Sequence, residues 1–78
     1  MERNAQEELR AHLMETNEEF QRLSSQHSEF ARKLEDLEAR PHLTYEEELE
    51  ETRLKKLKLR LKDQMEAIMS QYRSQQVA

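Results

Sequence analysis

From Leu9 to Leu37 a mostly apolar seam steps alternately by four and three residues, through Leu13, Thr16, Phe20, Leu23, His27, Phe30 and Leu34. An unbroken 4–3 alternation across four heptads is the pattern of a helix whose one seam faces another helix. In heptad lettering Leu13, Phe20, His27 and Leu34 take a positions; Leu9, Thr16, Leu23, Phe30 and Leu37 take d positions. Asn4 with Glu7 three residues on reads as a capping box. The first helix is therefore predicted over about residues 5–39.

The pattern stops at Arg40-Pro41-His42-Leu43-Thr44. Pro41 has no N–H and pushes Arg40 out of the helical region. Thr44 and Glu47 then form a second capping box, and Glu46, Glu47 and Glu48 put negative charge where the helix macrodipole favours it. A stop followed at once by a start predicts a short turn over 40–44; a kinked continuous helix is the alternative. The second helix is predicted over about residues 45–73, with a polar tail at 74–78. Its main stripe is Leu54, Leu57, Leu61, Met65, Ile68 and Tyr72, a single narrow apolar face. Tyr45, Leu49 and Leu59 fall on the opposite side, in a row completed by Thr52 and Lys56.

Folding the chain at the proline tests whether the two seams can meet. Phe30 and Leu54, His27 and Leu57, Leu23 and Leu61, and Thr16 and Ile68 lie symmetrically about His42; Phe20 with Met65 and Leu13 with Tyr72 miss by one residue. The seams thus predict an antiparallel two-helix hairpin, all-α and a single domain over residues 1–78. Leu34 and Leu37 fit worst, since they would face Glu50 and Glu47. Either the second helix rotates there to offer Leu49, or those leucines pack on another chain. A two-helix hairpin has no third layer over its seam, and small scaffolds in that position commonly oligomerise. A homodimer is expected, with Tyr45, Leu49 and Leu59 as its face.

Composition closes off most chemistry. More than half of the residues are Ala, Glu, Lys, Leu or Arg, as in coiled coils and long helices. Glycine is absent, and with it every glycine-based phosphate loop and dinucleotide fingerprint. With no cysteine there is no disulfide framework, thiolate zinc site or cysteine nucleophile, which suits a reducing cytoplasm. No apolar run approaches bilayer length, and residues 1–4 offer no signal-peptide core. The net charge of only −4, with signs interleaved and apolar residues periodic, argues against disorder.

His12, His27 and His42 lack the spacing that sets two ligands on one helix face, so no metal site is expected. His12 has Glu8 and Glu15 a turn away on either side, an ordinary surface pairing. His27 interrupts an apolar seam: it reads as a polar residue fixing register, or as a contact sensitive to pH. Carboxylates and serines sit on solvated faces without a pocket, so no catalytic residue, cofactor or small-molecule substrate is expected. Met65 and Met69 read as gap-filling core. Arg53, Lys55, Lys56, Lys58, Arg60 and Lys62 form a basic block, the basis of an alternative reading as a nucleic-acid accessory protein through Lys55, Lys56, Lys58, Arg60 and Lys62. Their division into two rows beside the leucine stripe, the acidic balance and the lack of a stacking platform favour a charged coiled-coil flank instead. The Glu-rich neighbours weigh against an anionic membrane surface.

Two stretches carry a family resemblance. Asn17-Glu-Glu-Phe20-Gln-Arg-Leu23, followed by His27, Phe30, Leu34, Leu37 and Glu38, resembles the N-terminal half of the YdcH-like family of small bacterial proteins. Leu54-Lys-Lys-Leu-Lys-Leu-Arg-Leu-Lys-Asp63-Gln-Met65 resembles its lysine-rich signature. The resemblance implies a helical hairpin or coiled coil, cytoplasmic, with no established activity or cofactor. Family members tend to carry Pro where this chain has Glu18, Glu where it has Gln64, and Glu or Gln where it has Leu57. If position 57 faces His27, as the fold-over symmetry has it, Leu57 leaves that imidazole without a polar partner. The expectation is a non-enzymatic structural or protein-interaction module that self-associates and offers a charged surface to a protein partner.

Overall fold

The computed structural model describes residues 5–76, and among them it forms three helices and no strand: α1 (Ala5–Thr16), α2 (Glu18–Glu38) and α3 (Tyr45–Gln76). The protein is all-α. Its longest dimension, 52 Å, is set by α3, since 32 helical residues span roughly 48 Å.

α2 and α3 form an antiparallel pair around the turn. α2 closes with the Ala39 N–H donating to the Glu35 carbonyl (2.9 Å) and Arg40 N–H to Leu37 (3.2 Å). Pro41 follows, and α3 begins on a reciprocal capping box: Glu47 N–H donates to Thr44 Oγ1 (3.1 Å), and Thr44 N–H to Glu47 Oε1 (2.9 Å). The Arg40 guanidinium donates to the other oxygen of the same carboxylate. The bond from the Thr44 backbone, then the Arg40 charge and the Thr44 hydroxyl, outweigh partial burial and hold the Glu47 carboxyl below the usual range. Beside the turn, Leu34, Leu37 and Leu54 are buried together, with Phe30 and Leu43 against them. Leu34 and Leu37 therefore need neither a rotated α3 nor a second chain. Leu43, in the turn itself, packs on this cluster while Leu49 stays exposed.

The first half departs from the single helix expected over 5–39. Asn17 breaks it, with an extended backbone (φ −119°, ψ 110°) and a side-chain oxygen accepting the Phe20 N–H at 2.9 Å. Asparagine is among the best N-cap residues because its short amide satisfies an N–H that the new helix leaves orphaned. Glu18 and Glu19 then occupy the favourable first turn. Gln21 Nε2 reaches back to the Met14 carbonyl (2.6 Å), tying the end of α1 to the start of α2. Thr16, expected in the seam, is exposed and donates to the His12 carbonyl of its own helix (2.9 Å).

The bend turns α1 back. In one straight helix Arg10 and His27 would stand about 25 Å apart along the axis; here both line one groove, with residues of α3. Leu9 and Leu13 are buried with Phe20 and Met69, and Met65, Ile68 and Tyr72 pack against them. Phe20 and Met69 are fully buried, at 0% exposure. The Tyr72 hydroxyl hydrogen-bonds His12 Nε2 at 2.8 Å, the two rings tilted by 50° with centroids 5.3 Å apart. α1 thus supplies at one end of the hairpin the third layer that two helices lack. Leu23 and Leu61 are buried between the ends, whereas His27, Phe30, Leu57, Met65, Ile68 and Tyr72 are half-buried. Residues 74–76, expected in a polar tail, continue α3; Val77, Ala78 and Asn4 of the first expected cap lie outside the described residues.

Candidate functional site

Two surfaces stand out on α3, and helical geometry sets both. The first is the outer row. Tyr45, Leu49 and Leu59 are 74%, 53% and 60% exposed, on the side of α3 away from the buried Leu54 and Leu61. Leu49 opens onto a shallow depression that it shares with Thr52, Arg53, Lys56, Leu57 and Arg60.

The second surface is a groove where all three helices meet. α1 contributes Arg10, α2 contributes Ser24 and His27, and α3 contributes Lys58, Lys62 and Glu66, over a floor of Met65 and Met69. It encloses about 400 Å³. Towards the turn it continues into a second depression where His27 is joined by Leu34, Glu38, Lys55 and Leu59. His27 therefore shares both depressions with Lys58 and Lys62, while Leu57 lines the depression below Leu49. Partial burial, then the charges of Lys58, Arg10 and Lys62, hold its imidazole below the ordinary histidine pKa.

The basic block does not form one surface. Lys55, Lys58 and Lys62 turn towards the groove, while Lys56 and Arg60 line the depression on the other side of α3. Among the described residues, Lys33, Arg40, Arg53 and Lys55 have carboxylates within ion-pair distance. No group of three His, Asp or Glu side chains there could hold a metal ion, and no helix is long and apolar enough to cross a membrane.

The sequence pattern alone marks neither Arg10 nor Ser24 as groove residues. Arg10 reaches the groove through the bend at Asn17, and the available signal was local: a good capping residue followed by two glutamates. Met69, read as gap-filling core but left out of the main stripe, is buried with α1. At 100° per residue it lies about 60° round the helix from Leu54, outside a narrow stripe but inside the wider face that α1 covers.

A family described as "Protein of unknown function (DUF465)" matches residues 20–69. The chain belongs to the DUF465 family. The DUF465 match begins at Phe20, the third residue of α2, and ends at Met69 in α3, so it spans the hairpin and leaves α1 outside. No curated protein and no solved structure matches the chain.

Proposed function

We propose that this protein is a non-enzymatic interaction module that self-associates through the outer face of α3. The observation that carries the reading is the row Tyr45, Leu49 and Leu59, left exposed on a helix whose opposite side is buried. Charge on the same helix favours a second copy as the occupant. Glu46, Glu47, Glu48, Glu50 and Glu51 precede a run of cations from Arg53 to Lys62. If two α3 helices cross antiparallel with their two-fold axis near Leu54, Leu49 of one copy stands opposite Leu59 of the other. The acidic stretch of each then lies along the basic stretch of its partner. Such an isologous contact is self-complementary and closes at two chains. A parallel pairing would set like charges side by side, at a cost.

Light scattering across a concentration series tests this. The expected mass is twice the 9.5 kDa of one chain. Leu49→Lys with Leu59→Lys should return it to the single-chain value while the helical circular dichroism is retained. Higher salt should weaken the contact, because exposed charges are screened. A single-chain mass at millimolar protein would end the proposal.

A further inference from the structure

We propose that the groove between α1, α2 and α3 is a binding site for a small polyvalent phosphate of the diphosphate class. Three cations from two helices, Arg10, Lys58 and Lys62, converge on one concavity. Among the described residues, none of the three has a carboxylate within ion-pair distance, in contrast to Lys33, Arg40, Arg53 and Lys55. Glu66 stands in the same wall and leaves the positive charge in excess. Like charges gathered in a concave site repel one another and focus a field that an anion relieves. The Ser24 hydroxyl and the His27 ring add hydrogen-bond donors on the α2 side. Met65 and Met69 form an apolar floor, which strengthens each charge–charge contact above it.

The lining also selects the chemistry. It contains no Phe, Tyr or Trp on which a base could stack, so the phosphate groups themselves are the recognised part. A nucleic-acid backbone is the less suitable occupant, because Lys56 and Arg60 of the same block face away from the groove. Arg10 is present only because the chain bends at Asn17, so the site belongs to the folded-back form.

Bound anion reverses the field at His27. Its imidazole is faced by Arg10 from α1 and by Lys58, Lys62 and Glu66 from α3, with Lys55 and Glu38 in the adjoining depression. An anion between these cations favours the imidazolium, so binding takes up a proton and His27 reports it.

The test is a nuclear magnetic resonance titration of the full chain, following the ring resonances of His27 with the turn residue His42 as an internal reference. Diphosphate probes affinity; sulfate, which does not titrate near neutrality, probes the proton linkage. The expected result is saturable movement of His27, a higher His27 pKa in sulfate, and no comparable change at His42. Arg10→Gln and Lys62→Gln should each weaken diphosphate binding about tenfold, the scale of one charge-assisted contact. Lys56→Gln with Arg60→Gln should leave it unchanged. Equal, non-saturating drift of His27 and His42 would overturn the proposal from the unsubstituted protein alone. So would affinity indifferent to Arg10, or single-stranded DNA binding tighter than diphosphate that depends on Lys56 and Arg60.

Discussion

Replacing Asn17 with Ala separates two folds that the same apolar spacing allows. The cap bond from Phe20 N–H to Asn17 Oδ1, 2.9 Å long, is lost, and removing such a cap costs about 1 kcal/mol. Alanine is also the better residue inside a continuous helix, by roughly 0.6 kcal/mol over asparagine. Together these shift the balance between bent and straight forms by about 1.5 kcal/mol, or roughly tenfold, towards one helix from Ala5 to Glu38. Against the shift stand the buried Leu9 and Leu13 and the His12–Tyr72 hydrogen bond, which the bent form keeps. Because the chain has no cysteine, Arg10→Cys with Ser28→Cys gives two clean positions for spin labels. In a straight helix those positions stand about 27 Å apart; in the bent form they lie much closer. Pulsed electron–electron resonance should find the short distance in the parent, and a long-distance population about tenfold larger, relative to the short one, in the Asn17→Ala chain. A parent distance near 27 Å would refute the bend. An unchanged distribution and melting temperature in the variant would refute the role given to the cap.

Thr44→Ala should destabilise the fold by about 1 kcal/mol in thermal or urea melts, since it removes the hydroxyl half of the second capping box. The Glu47 carboxyl is held below its ordinary value, so the stability it contributes is present above the usual carboxylate range and lost as pH falls through the lowered value. Glu47→Gln should flatten that acid limb of a pH–stability curve. His27 is also held below its ordinary value, and the unfolded chain takes up the proton first; stability should therefore fall as pH drops through about 6.5 and level off below the folded value. His27→Leu should melt higher and lose this step between pH 7 and pH 5. Met69→Ala, at a fully buried site, should cost about 2–5 kcal/mol, whereas the same change at exposed Met14 should cost little.

What the amino-acid pattern reveals is mostly what neighbouring residues decide. The turn is legible because Pro41, Thr44 and Glu47 act within a few residues of one another, and both bonds of the capping box form. The pairing of Phe30 with Leu54 is legible because it follows from folding two periodic stripes about a known centre. The break at Asn17 is harder to see, because the 4–3 steps pass through it without a gap. A regular seam has no way to show that one residue in it is better used as a cap. The groove is harder still: its residues come from three helices, and only the bend brings Arg10 to Ser24 and Lys62. Leu43 shows the same limit at the other end, where a turn residue packs on the cluster of Leu34, Leu37 and Leu54.

The placement of α1 also bears on what the matched hairpin segment would be without it. The DUF465 match starts at Phe20 and stops at Met69, and those two buried residues are the ones on which Leu9 and Leu13 close. A chain trimmed to the matched segment would end in a bare apolar notch at the tip farthest from the turn. In this protein α1 acts as a stopper for that notch, and its removal would leave Phe20 and Met69 open to solvent.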